Sequence, residues 1–120
     1  MLPNLFTTEY ERFLRRVWRE RPRLSDEEFY DRFYRGSGID PAIPSRVRAE
    51  LEQALGENMG ALHPSDNLVF GFEDVDFADI LFRMGRVFDV RVPVQAFPAE
   101  IDGTVDSLIR CIAEKRDELK

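Results

Sequence analysis

The sequence has little cysteine and no long apolar stretch, and each shortage excludes a class of protein. Cys111 is the single cysteine among 120 residues, which excludes an internal disulfide and a multi-cysteine metal site. No segment approaches the roughly 20 consecutive apolar residues that a membrane-spanning helix needs. The first residues also lack the basic and then apolar regions of a signal peptide. We therefore expect a soluble cytoplasmic protein without a membrane partner.

An excess of positive charge is also missing. The formal net charge is −6, whereas nucleic acids and anionic membranes are bound by basic surfaces. The chain length is typical of a single domain with one modest core. A hydrophobic content of 43% and an aromatic content of 12% are ordinary for globular proteins. We expect one folded domain that does not bind nucleic acid.

Charge is distributed unevenly along the chain. Between Met1 and Leu24 there are six Arg and three Glu, whereas Ala49 to Phe82 contains eight acidic residues and no Lys or Arg. Oppositely charged segments can pair with each other, or each can face a different partner. The sequence leaves both alternatives open.

The N-terminal third has the pattern of two helices. Thr7 or Thr8 can cap the first helix, which should end before Pro22. Ser25, followed three residues later by Glu28, is a capping-box pattern that opens a second helix. Their apolar faces are too large to remain in water, so we expect them to pack on the rest of the chain with Trp18 at least partly buried. The predicted faces are Tyr10, Phe13, Leu14, Val17 and Trp18, and then Phe29, Tyr30, Phe33 and Tyr34.

Three further helices are expected after this region. One should start at Pro44, which suits a first helical position, and stop near Gly56 or Gly60. The next should run from about Glu73 to Phe88, and the last should start near Thr104. The predicted core positions are Val47, Leu51, Ala54 and Leu55, then Phe77, Ile80, Leu81, Met84 and Phe88, and finally Val105, Leu108, Ile109 and Ile112. The chain is therefore predicted to be all-α.

The stretch GFEDVDFADILFRMGRVFDVRVP, from Gly71 to Pro93, resembles the second helix of an acyl carrier protein. The order of elements from about residue 45 to 115 is similar to that family as well. The resemblance implies an acyl carrier protein-like four-helix bundle, with residues 1–40 forming an N-terminal extension of two extra helices. It places the family's phosphopantetheine-bearing serine on Asp74. An aspartate has no hydroxyl to carry that arm, so we expect no cofactor.

A second match to the family's attachment motif lies in the wrong place. Asp106-Ser107-Leu108 spells Asp-Ser-Leu, but too few residues follow Ser107 to complete the bundle. We expect Ser107 to lie inside the terminal helix and to remain unmodified.

The acidic start of the predicted carrier-like helix has three interpretations. Glu73, Asp74 and Asp76 can stabilise the positive end of the helix dipole. They can instead form an acidic epitope for a protein partner. A divalent-cation site on Glu73, Asp76 and Asp79 is a remote third interpretation, since no calcium-binding loop is present.

The resemblance also implies a recognition surface on this helix. In the family, the solvent side of the second helix is acidic and docks on basic patches of enzymes. Asp79 keeps that character here, together with Asp74 and Asp76, but Arg83 and Arg86 reverse it. We expect these residues, with Glu73, to bind a protein partner other than those of ordinary fatty-acid synthesis.

Signals for enzymatic activity are absent from the sequence. His63 is the single histidine and is expected in a loop, and Cys111 is expected to be half-buried in the last helix. There is no phosphate loop, dinucleotide motif or zinc spacing. The leading hypothesis is a non-catalytic, acyl carrier protein-like interaction module with neither metal nor cofactor. The alternative is a specialised acyl or peptidyl carrier protein, and a small metal-binding protein is a remote one.

Overall fold

The computed structural model describes residue 12 and residues 16–56, 58–68, 77–92 and 103–118. Within these ranges the regular secondary structure is helical: α1 (Asp26–Phe33), α2 (Ala42–Leu55), α3 (Phe77–Phe88) and α4 (Val105–Glu118). Residues 16–20 are helical as well. An isolated antiparallel bridge joins Asn67 and Thr104, and the described segments contain no strand. The all-α prediction is confirmed for these residues.

Helix α1 begins with the predicted capping box. The Ser25 hydroxyl accepts a hydrogen bond from the Glu28 backbone N–H at 3.1 Å, and the Glu28 carboxylate accepts one from the Ser25 backbone N–H at 3.0 Å. Both donors would otherwise lack a partner within the helix. Three acidic residues occupy the first turn, where they complement the helix dipole.

Helix α2 starts earlier than predicted. Its first residue is Ala42, whose backbone N–H donates to the Asp40 side chain at 2.9 Å. Pro44 is therefore the third helical residue rather than the first, and it is tolerated because N–H groups of the first turn have no acceptor in the helix. The helix ends as predicted at Gly56, whose φ of 70° is a left-handed conformation that suits glycine.

The buried face of α2 differs in part from the predicted one. Val47 and Leu51 are fully buried as expected, but Ala54 is exposed. Arg48 and Glu50 are buried instead. Both can be buried because each forms ion pairs with neighbouring segments.

Arg48 attaches α1 to α2. Its guanidinium pairs with Asp26 at 2.7 Å, donates to the Leu24 and Met59 carbonyls, and lies 4.7 Å from the centre of the Phe29 ring. Burial lowers the pKa of Arg48, and the neighbouring Asp26 carboxylate counteracts that shift. The entry into α1 is thus fixed by a cation that lies almost wholly inside the protein.

A Schellman motif closes α3. The Val90 N–H donates to the Gly85 carbonyl at 3.0 Å, and the Asp89 N–H donates to the Arg86 carbonyl at 3.4 Å. Asp89 has a φ of 53°, as this motif requires of the residue after the cap. Arg116 of α4 donates to the Phe88 carbonyl at 2.7 Å. The end of α3 is therefore fixed both locally and by the last helix.

Helix α2 lies at the centre of the packing. It contacts α1, α3 and α4, and α3 also contacts α4. The predicted core positions of α4 are all fully buried. Cys111, expected to be half-buried, is buried with 7% exposure. The core draws on every named helix, and its largest fully buried side chains include Phe29, Tyr34, Leu51, Met84, Leu108 and Ile109.

The described N-terminal aromatic residues pack on this core, as predicted, whereas Tyr10, Phe13 and Leu14 of the predicted first face lie outside the described residues. Phe29 and Tyr34 belong to it, and Trp18, Tyr30 and Phe33 are partly buried against it. The Tyr34 hydroxyl donates to the Asp106 carboxylate at 2.8 Å, which joins the end of α1 to the start of α4. Burial and this hydrogen bond raise the pKa of the Tyr34 hydroxyl.

Candidate functional site

The predicted recognition residues that the structure describes all lie on α3. Asp79 and Arg86 are exposed and Arg83 is half-buried. Phe82 is 68% exposed. Among the described residues it is the one large hydrophobic side chain that is exposed. Asp79, Phe82 and Arg86 follow at i, i+3 and i+7, so they form one continuous stripe on the helix. We call this stripe the α3 face.

Arg83 is adjacent to the α3 face in the helix, but its guanidinium is bonded to α2. Its Nε donates to the Glu50 carboxylate at 2.7 Å, and its Nη2 donates to the Gln53 side chain at 2.8 Å. Arg46 also pairs with Glu50, at 3.1 Å. Glu50 is buried with 6% exposure, so its charge depends on these two guanidinium groups. Arg83 therefore joins α3 to α2, and Arg86 is the outward-facing cation of this helix.

The charges of the α3 face are not used within the described part of the molecule. The side chains of Asp79 and Arg86 form no ion pair or hydrogen bond with any other described residue. Arg86 lies in the last turn of α3, at the helix end whose dipole favours a positive charge. This arrangement places an exposed aromatic ring between two available charges of opposite sign.

The remaining predicted site residues, Glu73, Asp74 and Asp76, lie outside the described residues. Ser107, the serine of the second match to the attachment motif, lies within the described residues. The Ser107 N–H donates to the Thr104 hydroxyl at 3.1 Å, and the Ser107 hydroxyl donates to the Thr104 carbonyl at 2.9 Å. Ser107 is thus held in the first turn of α4, inside the terminal helix as predicted.

A buried carboxylate that sequence reasoning did not single out lies outside the α3 face. Asp66 has 3% exposure. It accepts hydrogen bonds from the Trp18 indole at 3.0 Å, from both terminal nitrogens of Arg21 at 2.8 and 3.1 Å, and from the His63 backbone N–H at 2.9 Å. We call these four residues the Asp66 network. The network satisfies the carboxylate fully, as a buried charge requires.

The Asp66 network explains part of the uneven charge distribution. Arg21 belongs to the Arg-rich N-terminal segment and Asp66 to the acidic segment, so the two segments pair with each other at this point. The signal available in the sequence was that asymmetry, but it did not identify which residues meet. Asp66 is one of eight acids in its segment, and pairing across 45 residues leaves no local pattern.

His63 lies in a loop, as predicted, and its environment disfavours a charge. The ring packs edge-on against Phe33 with 5.0 Å between the ring centres. Burial, followed by the nearby Arg21 guanidinium, lowers the pKa of His63, although the Asp66 carboxylate acts in the opposite direction. His63 contributes its backbone rather than its ring to Asp66, so the network does not have the geometry of a catalytic base with its orienting acid.

A groove of about 820 Å³ lies between α2, the end of α3 and α4. Its rim carries charges of both signs on Asp40, Arg46, Arg116 and Asp117. The described residues that line it include neither histidine nor cysteine. Arg116 is already bonded to the end of α3 and Arg46 to Glu50. The groove therefore shows no convergent set of reactive groups.

Neither a metal-ligand cluster nor a membrane-spanning helix is found in the described ranges. In those ranges, no three His, Cys, Asp or Glu side chains are grouped so that they could hold a metal ion. None of the helices found there combines the length and the apolar character needed to cross a bilayer.

Comparison of the chain with models of protein families, with curated proteins and with solved structures gave no significant match.

Proposed function

We propose that this protein is a non-catalytic interaction module with an acyl carrier protein-like organisation, and that it binds a protein partner through the α3 face. The observation that carries the proposal is Phe82, which stays 68% exposed on a helix whose other large apolar residues are buried or half-buried. A rigid aromatic ring on a helix is an effective anchor for a partner pocket.

The flanking charges support a docking role for this ring. Neither Asp79 nor Arg86 places its charge directly over the Phe82 ring. Each charge is available to a partner at the rim of the contact. Contacts of this kind select the partner and its orientation more than they add affinity. Arg83, held by Glu50 and Gln53, stabilises the helix that presents the face.

The proposed absence of carrier chemistry rests on two residues. Asp74 stands where the resemblance places the attachment serine, and a carboxylate cannot form the serine phosphodiester. The Ser107 hydroxyl is hydrogen bonded to the Thr104 carbonyl within the first turn of α4. Neither residue offers a free hydroxyl at the start of a recognition helix.

Intact-mass measurement tests this second part of the proposal. The protein is incubated with coenzyme A and a phosphopantetheinyl transferase of broad specificity, and a known carrier protein serves as the positive control. We expect the mass to remain unchanged. Addition of one pantetheine arm, mapped to any serine, would refute the proposal in favour of a specialised acyl or peptidyl carrier.

Affinity enrichment from the source cells tests the docking role. The bait is used as wild type, as Phe82→Asp, and as Asp31→Ala, an exposed substitution on α1 that serves as the control. We expect a partner that wild type and control retain and that Phe82→Asp loses. A partner retained equally by all three baits would show that docking uses another surface.

A further inference from the structure

The α3 face is self-complementary under a two-fold rotation. Asp79 and Arg86 lie at equal sequence distances on either side of a point between positions 82 and 83. When two copies of α3 lie antiparallel about that point, Asp79 of each copy faces Arg86 of the other. The two Phe82 rings then meet beside the axis. This is the isologous pattern of a symmetric dimer, in which residue i contacts j and j contacts i.

We propose that the α3 face binds a second copy of this chain, with the two α3 helices antiparallel. The inference rests on the proposed docking role of the α3 face and names the occupant. The predicted contact consists of one Phe82–Phe82 pair at the centre and two Asp79–Arg86 ion pairs at the rim. Oppositely charged groups around a desolvated aromatic centre form the usual arrangement of a specific interface.

The surroundings of the face are compatible with this arrangement. Arg83, the other residue adjacent to the axis, is bonded to Glu50 at 2.7 Å and does not place a second, unpaired cation against its symmetry mate. The Schellman motif and the Arg116 contact end α3 after Phe88, so the helix contact does not extend beyond that end. The described part of α3, Phe77–Phe88, has about three turns. One short helix pair buries less surface than standard stable interfaces. The dimer is therefore weak and reversible.

Charge reversal distinguishes this arrangement from any other association. Asp79→Arg places like charges at both rim contacts of a homodimer, and so does Arg86→Asp. Two modest ion pairs turned into repulsions should lower the association constant roughly tenfold or more. When the two variants are mixed, every rim contact is again between opposite charges. We expect each variant alone to associate at least about tenfold more weakly than wild type, and the mixture to associate as wild type does.

Sedimentation velocity over a concentration series from micromolar to millimolar provides the measurement, at physiological salt. The double variant with both reversals should recover self-association, and Phe82→Asp should lose it. A wild type that stays monomeric throughout the series overturns the proposal. It is also overturned if wild type self-associates but the mixture of charge variants does not.

Disulfide formation gives a second measurement that does not depend on the charge variants folding. Asp79→Cys and Arg86→Cys are oxidised separately and as a mixture, with Cys111 buried in the core. The antiparallel arrangement predicts a crosslink between the two variants in the mixture, whereas a crosslink of Asp79→Cys with itself would overturn it. Absence of the homodimer can be distinguished from failure of the proposed function. A monomeric wild type that still captures a partner through Phe82 refutes only the second copy as occupant, whereas no dependence on Phe82 in either assay refutes both.

Discussion

The guanidinium of Arg83 donates through Nε to the carboxylate of Glu50 at 2.7 Å, so a cation from the predicted recognition surface is used to join α3 to α2. Glu50 has only 8% of its side-chain surface exposed, whereas Arg83 has 31%. Removal of Arg83 would leave a buried carboxylate with Arg46 as its remaining ion-pair partner. Two arginines three residues apart on one helix thus have different roles.

Arg83→Met should destabilise the fold and Arg86→Met should not. A buried carboxylate that loses one of its partners costs about 2 kcal/mol, whereas an exposed substitution away from such features stays within about 0.5 kcal/mol. Urea denaturation of the two variants measures the difference, and each is the matched control for the other. Equal free energies of unfolding would contradict the assigned role of Arg83.

Asp66→Ala should be among the most destabilising single substitutions outside the apolar core. It removes the carboxylate that accepts hydrogen bonds from Trp18 and Arg21. The Arg21 guanidinium, with 18% of its side-chain surface exposed, is then left without that ion-pair partner. Breaking a buried pair costs about 3 kcal/mol. Thermal and urea denaturation measure this loss, with the exposed substitution Asp31→Ala as the control. If both variants unfold like the wild type, the Asp66 network does not contribute to stability.

Ser25→Ala should weaken the start of α1 by about 1 kcal/mol, because the capping hydroxyl is lost. The hydrogen bond from the Ser25 backbone N–H is the largest cause of the lowered pKa of Glu28, and the Ser25 hydroxyl adds to it. Alanine keeps the backbone N–H and removes the hydroxyl, so the substitution should raise that pKa part of the way towards its ordinary value. A lowered folded pKa gives stability that is present above the unfolded pKa and is lost as pH falls through the folded pKa. NMR titration of the Glu28 carboxylate in both proteins measures the shift. A free energy of unfolding equal to that of the wild type, measured by urea denaturation, would contradict the capping role of the Ser25 hydroxyl.

His63 should titrate below its ordinary pKa of 6.5, because burial and Arg21 disfavour its charged form. With a lowered folded pKa, the unfolded state binds more protons between the two pKa values. The stability from neutral His63 is therefore complete above the unfolded pKa and declines as pH falls from there through the folded pKa. NMR titration of the imidazole measures the shift directly, and His63→Gln should remove this part of the pH dependence. A pKa at or above the ordinary value would contradict this environment.

Local signals predicted the helices well. The Ser25 and Glu28 spacing located the start of α1, and the apolar periodicity identified the buried positions of α3 and α4. These features depend on residues within a few positions of each other. The start of α2 was misplaced by two residues, because Pro44 fits the third helical position as well as the first. The Asp40 side chain accepts the N–H of Ala42, the first helical residue, a contact that was not predicted from the sequence.

Contacts between distant segments could not be read from the sequence. The apolar periodicity assigned Ala54 to the core and left Arg48 and Glu50 outside it. Periodicity cannot identify a buried charged residue whose ion-pair partner comes from another segment. Asp79 and Arg86 of the α3 face were singled out from their charges, whereas Phe82 was not, because its exposure depends on how α3 packs on α2 and α4. The Asp66 network was missed for the same reason, because Trp18 and Asp66 are 48 residues apart.

The Asp66 network has a consequence for the smallest fragment that can fold. Asp66 binds Trp18 and Arg21 through its side chain, while its backbone carbonyl accepts the Val105 N–H at 3.0 Å, at the start of α4. A fragment cut at residue 45, where the carrier-like part was expected to begin, would lose both side-chain donors and keep a carboxylate inside the protein with the His63 N–H alone. A fragment that begins after Arg21 therefore lacks these donors, and the described N-terminal residues from Trp18 to Tyr34 pack on the same core as the later helices.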